Sequence, residues 1–173
     1  MTYDTEKDFR ALMDFVHMIR GTTIGEIVLI ERFIDFYLSY IFAKDKQCRE
    51  NLTDWVFTER IAFAEKLQIF RLTIEKYNTK FKNDNPDYFK DITFLIEQRN
   101  IFAHYLLVNG DPEVKDYAKT GIVTFMKYKN DSKRIHYNRD MQDKLATTLI
   151  KYSRIFTELM SSIKMWEEMS IAP

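Results

Sequence analysis

The stretch Glu97-Gln-Arg-Asn-Ile-Phe-Ala-His-Tyr105 places an arginine, an amide and a histidine inside an otherwise apolar helical run. The apolar residues within it and on either side are large: Phe94, Leu95, Ile96, Ile101, Phe102, Leu106 and Leu107. This pattern predicts a helix that is buried on more than one side. Burying Arg99, Asn100 and His104 there has a desolvation cost unless they pair with other groups or face a wet cleft. The stretch is therefore the candidate site of the chain.

The spacing of the three polar residues limits how they can act together. Arg99 and His104 are five residues apart, so on a straight helix they point about 140° away from each other. Asn100 and His104 share a face at the four-residue spacing. Two ways to join Arg99 with His104 remain open. The long arginine side chain can reach around the helix, or a second copy of the chain can supply the partner across a two-fold axis.

The bulk composition indicates one folded domain over residues 1–173. The chain has 173 residues, of which 46% are hydrophobic and 30% charged, enough to build a core. With only 4 glycines and 3 prolines, long helices are favoured over a turn-rich β fold. The 26 basic and 26 acidic side chains cancel, so an RNA-binding surface would have to be a local patch.

The compartment that the sequence predicts is the cytoplasm. Cys48 is the only cysteine, which excludes an intrachain disulfide and suits a reducing environment. The first residues lack the basic and apolar segments of a signal peptide. The apolar residues 24–43 are predicted as a buried helix and not a membrane anchor, because the charges among them would be expensive in lipid: Glu26, Glu31, Arg32 and Asp35.

Capping and periodicity signals predict about five helices. The first ends at Gly21, and the capping box Thr23-x-x-Glu26 begins a second helix to about residue 43 that is apolar nearly all round and so shielded from water. The others span about residues 58–77, 86–108 and 138–168, with polar connectors at residues 44–54 and 78–85.

Between residues 121 and 137 the period changes from helical to alternating, which predicts a small β-hairpin that leans on the helices. In the last helix, apolar residues step by threes and fours, as in a bundle or coiled-coil seam: Met141, Leu145, Leu149, Tyr152, Phe156, Leu159, Ile163 and Trp166. The expected fold is mainly all-α, a bundle of about five helices with the hairpin as an appendage before the last one.

The motif Arg99-Asn-Ile-Phe-Ala-His104, late in a helix and preceded by an apolar helix with embedded acids, resembles the Arg-x(4–6)-His signature of the HEPN superfamily. The asparagine after the arginine and the alanine before the histidine carry this resemblance, which extends in weaker form over about residues 5–165. It implies a compact helical bundle that dimerises to bring two motifs into one cleft. It also implies metal-independent RNA cleavage, typical of toxin–antitoxin, abortive-infection and other defence ribonucleases.

The resemblance implies a catalytic set of Arg99, Asn100 and His104, with no metal and no cofactor. The RNA 2′-hydroxyl would attack the adjacent phosphate and leave a 2′,3′-cyclic phosphate and a 5′-hydroxyl. His104 would move the proton, and Arg99 would hold the phosphate through its planar fork. Asn100 would orient the histidine or bind an oxygen. The implied partners are a second copy of the chain, RNA, and an antitoxin or other defence-system protein.

One position departs from the family pattern. Some toxin branches read Arg-x(4)-His-x-Tyr, where a nucleotidyltransferase antitoxin can modify the tyrosine. Here Tyr105 directly follows His104, and Leu106 occupies the later position. We therefore expect a supporting role for Tyr105 and do not extend control by tyrosine modification to this chain.

A structural interpretation competes with the functional one. Glu31 and Asp35 lie one turn apart and require a cationic partner, for which Arg99 is the candidate. As supporting residues of a site, Glu31 and Asp35 would orient Arg99. In the structural interpretation the same residues form a buried ion pair, and His104 is a core histidine.

The hairpin region offers a second candidate surface. Its basic residues are interleaved with Tyr128, His136 and Tyr137 and can guide an RNA backbone or form a solvated face: Lys127, Lys129, Lys133, Arg134 and Arg139. His17 and His136 are expected to be surface or packing residues. The alternatives to a ribonuclease are a non-catalytic module of the same architecture that binds protein or nucleic acid, and a helical bundle that matches the signature by accident.

Overall fold

A computed structural model describes residues 5–127 and 130–162. They form seven α-helices, one π-helical segment and three strands. In chain order these are α1 (Thr5–Phe42), α2 (Lys46–Asn51), the π-helical segment (Leu52–Thr58), α3 (Phe63–Tyr77), α4 (Thr79–Asp84), α5 (Tyr88–His104), β1 (Tyr105–Leu107), α6 (Asp111–Thr120), β2 (Val123–Lys127), β3 (Asn130–Tyr137) and α7 (Arg139–Ser162). The prediction of a mainly α-helical fold is confirmed.

The chain divides into two compact units. Among the described residues, unit 1 comprises 5–25, 97–127 and 130–149, and unit 2 comprises 26–96 and 150–162. Helices α1, α5 and α7 each supply residues to both units. The candidate motif belongs to unit 1.

Helix α1 is continuous where the sequence predicted two helices. Gly21 and Gly25 lie within it, and a Cβ atom at either position would meet nothing within 4 Å. A glycine inside a helix costs about 0.5–1 kcal/mol. Buried residues on either side, such as Val16 and Ile27, stabilise the helix by tertiary packing. The predicted end at Gly21 and the capping box at Thr23 are therefore wrong, and Thr23 is buried within α1.

The predicted shielding of residues 24–43 is wrong at three apolar positions, one of which is Phe42 with 54% exposure. Val28 is 46% exposed and Leu29 is 53% exposed. Helix α1 buries one face and leaves another open, because buried Ile27, Ile30 and Ile34 follow the helical spacing of a single stripe.

Both predicted polar connectors contain helices. The side chain of Asp45 accepts a hydrogen bond from the backbone N–H of Cys48 at 2.8 Å, which caps α2. Asn78 accepts from the backbone N–H of Phe81 at 3.1 Å and caps α4 in the same way. These caps begin short helices in segments whose polarity suggested loops. The third predicted helix correspondingly begins later, at Phe63.

The core of unit 2 is an aromatic cluster around Phe70. Its ring centroid lies 5.3 Å from that of Tyr37, 6.0 Å from that of Tyr88 and 5.7 Å from that of Phe156.

The seam of α7 that the sequence predicted is buried at five positions: Leu145, Leu149, Tyr152, Phe156 and Leu159. Met141 is half-buried, and the predicted seam positions Ile163 and Trp166 lie outside the described residues.

The small sheet of unit 1 has three described strands, not the two of a hairpin. They pair antiparallel in the order β1-β2-β3. Helix α5 was predicted to run to residue 108 but ends at His104, where β1 follows without a loop. Pairing of β1 with β2 sets Leu107 opposite buried Phe125, and this sheet contact replaces a further turn of helix.

Helix α6 was not predicted. Gly110 caps it in an extended conformation, and Pro112 lies in its first turn. Gly121 ends it with a left-handed φ of 71°, a conformation that favours glycine. The sequence Asn109-Gly-Asp-Pro112 therefore follows β1 and begins a helix, and it does not end α5, which stops at His104.

None of the helices in the described ranges is both long enough and apolar enough to cross a membrane.

Candidate active site

The rotation of α5 in unit 1 is fixed by a buried aromatic contact. Phe102 is 2% exposed, and its ring centroid lies 5.5 Å from that of Phe125 and 5.3 Å from that of Tyr137. Both contacts have an edge-on geometry that aromatic pairs favour. Gln98, one turn before Phe102, is buried on the same side. The opposite side of this helical turn must therefore face outward.

The signature residues lie on that outward side. Successive residues of a helix turn by about 100°, so Arg99, Ala103, Asn100 and His104 follow one another across an arc of about 140°. Asn100, Ala103 and His104 are exposed, and Arg99 is half-buried. Ala103, which lies between Arg99 and Asn100 on this arc, has a small side chain. The residues that the sequence singled out thus share one accessible surface, and its width separates Arg99 from His104.

The polar side chains of this surface have no internal partners in the described ranges. Within residues 5–127 and 130–162, neither the Arg99 guanidinium, the Asn100 amide nor the His104 imidazole makes a hydrogen bond or ion pair. Their donors and acceptors are therefore available to a ligand. His104 is also the last residue of α5, so its backbone is held by the helix on one side and by β1 on the other.

The residue after His104 has a partner that the sequence did not suggest. The Nη2 atom of Arg20 in α1 donates to the carbonyl oxygen of Tyr105 at 2.7 Å. The Arg20 guanidinium lies 5.2 Å from the ring centroid of Phe125. Arg20 was not among the candidate residues of the sequence. The continuity of α1 makes it part of the structure around the motif.

The acidic pair of α1 has a different cation from the one the sequence suggested. In unit 2 the Nζ atom of Lys66 donates to Glu31 at 2.7 Å and to Asp35 at 3.0 Å. Lys66 and Asp35 side chains are each 2% exposed, and Glu31 is 19% exposed. Arg99 as the partner of these carboxylates is therefore wrong. Lys66 shares the inward face of α3 with Phe70 and was detectable by that spacing.

Burial dominates the protonation of Asp35 in this cluster. Desolvation raises the pKa of Asp35 to about 6, although the Lys66 ammonium acts in the opposite direction. Asp35 Oδ1 is buried without a hydrogen-bond partner among the described residues. One ammonium thus serves two carboxylates, and we interpret the cluster as a structural charge group.

The basic residues of the hairpin region lie on several elements and are exposed where the structure describes them. Lys133 and Arg134 are exposed neighbours on β3, at the irregular pairing that faces Met126 and Lys127. The Arg134 guanidinium forms a salt bridge with the Glu113 carboxylate at 3.3 Å. Lys127 and Arg139 are exposed at the end of β2 and the start of α7. Lys129, with its neighbour Tyr128, lies outside the described residues.

The aromatic residues between these cations are also divided. Tyr137 is fully buried beside Phe102 and Phe125, so its predicted place beside RNA is wrong. His136 is exposed, with Nδ1 3.0 Å from the Thr124 hydroxyl. His17 is exposed on α1. Across the described parts of the chain, no group of three or more His, Cys, Asp and Glu side chains is arranged to hold a metal ion.

Comparison with known proteins adds no relative. Family models, curated proteins and solved structures were all searched, and none matches this chain.

Proposed function

We propose that this chain is an endoribonuclease that uses Arg99, Asn100 and His104 and requires no metal ion. The observation that carries the proposal is the accessible arc of α5, on which the three side chains lack partners among the described residues. A half-buried guanidinium loses hydration, and a phosphate would restore both its hydrogen bonds and its charge balance. The type of these residues and their order match the HEPN-like signature.

The reaction that suits these groups is an internal transfer of the RNA phosphodiester. The 2′-oxygen forms a bond to phosphorus, and the bond from phosphorus to the 5′-oxygen breaks. The proton lost from the 2′-hydroxyl ends on the 5′-oxygen, so neither water nor an oxidant is consumed. A histidine can accept and return that proton near neutral pH. Arg99 binds the non-bridging oxygens and offsets the charge that grows on them, and Asn100 orients the imidazole or binds an oxygen.

A homodimer fits the width of the arc. Arg99 and His104 of one helix point about 140° apart, whereas two copies related by a two-fold axis can face one Arg–His set with the other. A second histidine would then act as the acid while the first acts as the base. A role in toxin or antiviral defence, and an antitoxin partner, rest on the HEPN resemblance alone.

The test is cleavage of mixed tRNA and mRNA in EDTA by the wild-type protein and by His104→Ala and Arg99→Ala. Removal of a general acid–base group or of a charge-stabilising donor should lower the rate by about 10²-fold or more. His17→Ala is the matched control, because His17 is an exposed histidine of the same unit. The products should end in 2′,3′-cyclic phosphate and 5′-hydroxyl. Unchanged cleavage by His104→Ala would contradict the assignment.

The second candidate function is a non-catalytic module that binds RNA or protein through the same surface. The divergence of Arg99 and His104 favours it for a monomer, because a single helix does not bring the two side chains together. The molecular mass of the protein in solution at micromolar concentration distinguishes the two candidate functions, because the ribonuclease is expected to be a dimer. A folded monomer that binds RNA without cutting it would support the binding module.

A further inference from the structure

The backbone that follows His104 has a carbonyl that the sheet cannot satisfy. Tyr105 lies opposite Lys127, and the Val108 N–H donates to the Thr124 carbonyl across the same strand pair at 2.9 Å. Hydrogen-bonded and non-hydrogen-bonded pairs alternate along an antiparallel ladder. Tyr105 therefore occupies a non-hydrogen-bonded position, and its carbonyl points away from β2. Because β1 is an edge strand, no described strand lies on that side.

Arg20 supplies the missing donor. Its Nη2 atom donates to the Tyr105 carbonyl oxygen at 2.7 Å, and its guanidinium lies 5.2 Å from the centroid of the Phe125 ring. In the ranges that the structure describes, Arg20 has no carboxylate partner, and its buried Nε atom has no hydrogen bond. An apolar side chain would pack on Phe125 without this desolvation cost. What the arginine adds is a charged donor at the Tyr105 carbonyl.

This contact restricts the position of the His104 side chain. The Tyr105 carbonyl that Arg20 binds belongs to the peptide plane that follows the Tyr105 Cα atom, and the His104 Cα atom belongs to the plane that precedes it. Peptide planes are rigid, so only φ and ψ of Tyr105 allow these two planes to rotate against each other. The last turn of a helix is ordinarily its least stable part. An anchor directly after His104 therefore opposes fraying at the one residue whose placement the proposed reaction depends on most.

We infer that Arg20 is a positioning residue, which holds the start of β1 so that the His104 imidazole keeps its place at the end of α5. This inference rests on the proposed ribonuclease function. Arg20 acts through the Tyr105 backbone and does not touch the RNA. Its loss should therefore slow the chemical step and leave RNA binding unchanged.

The kinetic test compares Arg20→Met with Arg20→Lys in the wild-type background. Methionine keeps an apolar contact with Phe125 but has no donor, and we expect kcat to fall about 10- to 100-fold with KM within about twofold, as for a misplaced catalytic group. Lysine restores one charged donor, and we expect it to recover most of the loss. The control is Arg10→Met, an exposed arginine of the same helix that pairs with Glu6. It should leave both constants unchanged.

A second measurement does not require activity. The ¹H–¹³C signal of the His104 imidazole, assigned by its absence in His104→Ala, should shift or broaden in Arg20→Met and stay in place in Arg10→Met. Circular dichroism checks that each variant is folded. If Arg20→Met does not fold, Arg20→Gln, whose amide is too short to span the same distance, replaces it.

Three results would overturn the inference: an unchanged kcat, a rise in KM alone, or an unchanged His104 signal in the folded variant. A rise in KM alone would mean that Arg20 binds RNA itself. If the wild-type protein does not cleave RNA, the proposed function fails. The imidazole signal then decides by itself whether Arg20 positions His104.

Discussion

Two groups of polar or charged side chains interrupt apolar helices of this protein, and only one of them is paired within the described residues. In unit 2, Lys66 bonds to both Glu31 and Asp35 in a nearly dry environment. In unit 1, Arg99 and His104 lie at the accessible end of α5 without an internal partner. The sequence presents both groups in the same way, as charges among large apolar residues. Their partners distinguish a structural cluster from a candidate site.

The difference follows from which face of its helix each charge occupies. Lys66 is on the face of α3 that also buries Phe70 and Ile74, so a bare ammonium there would be too costly without its carboxylates. Arg99 and His104 lie on the side of α5 away from the Phe102 anchor. Solvent hydrates the exposed His104 and still reaches the half-buried Arg99, so neither side chain needs an internal partner to be tolerated. Unpaired charges kept at such a surface remain available for a ligand.

The largest effect on stability is expected from Lys66→Met. The change leaves Glu31 and Asp35 without a cation, and breaking a buried ion pair in this way typically costs about 3–5 kcal/mol. The free energy of unfolding in urea at pH 7 measures it. Lys76→Met, an exposed lysine of the same helix, is the control and should change little. If Lys66→Met were as stable as Lys76→Met, the cluster would not be a structural element.

A smaller effect is expected from the pH dependence of Asp35. Its folded-state pKa is raised by burial from the ordinary 3.8 to about 6, so the folded protein binds more protons than the unfolded chain between these values. The contribution of Asp35 to the free energy of unfolding should therefore fall as pH rises from about 4 to about 6, at up to about 1.4 kcal/mol per unit for one proton. It should level off above pH 6.

Asp35→Asn should remove this part of the slope. The control Asp84→Asn replaces an exposed carboxylate that pairs with Lys80, and it should keep the slope. Urea unfolding at a series of pH values measures both variants. A slope that is identical in wild type and Asp35→Asn would show that Asp35 does not titrate in this range.

The smallest effect on stability is expected at the site itself. Asn100 and His104 are exposed, and Arg99 has no internal partner among the described residues. We therefore expect His104→Ala and Arg99→Ala to change the free energy of unfolding by no more than about 0.5 kcal/mol, as for ordinary surface substitutions. A loss of several kcal/mol in either variant would indicate that the motif has a structural role, as the Lys66 cluster does.

Much of the fold was predictable from residue patterns. The helical period of α7 identified its buried seam, and the apolar run around Phe102 identified α5 as a partly buried helix. The helix caps within polar segments were missed. Asp45 and Asn78 each cap the start of a helix where the composition suggested a loop. Gly21 was wrongly predicted to end a helix. A glycine ends a helix only when tertiary packing of the following residues does not stabilise a further turn.

The positions of the candidate residues on a helix could be predicted from the sequence, but the structure around them could not. The spacing within Arg99–His104 correctly gave their directions on a helix. The end of that helix at His104 depends on pairing with β2, some twenty residues later in the chain, and no local signal marks it. For the same reason Arg20 was missed, because its role depends on the free carbonyl of an edge strand. Lys66 was missed because sequence alone does not say which cation meets which acid.

The most direct test of the proposed chemistry is cleavage of one synthetic RNA and of the same strand with a single 2′-deoxynucleotide at the cut site. The wild-type protein in EDTA is used, after the cut site has been mapped. Because the 2′-oxygen is the expected nucleophile, the substituted strand should remain intact at that bond, while the unsubstituted strand yields a 2′,3′-cyclic phosphate. Equal cleavage of both strands at that bond would contradict the roles proposed for His104 and Arg99.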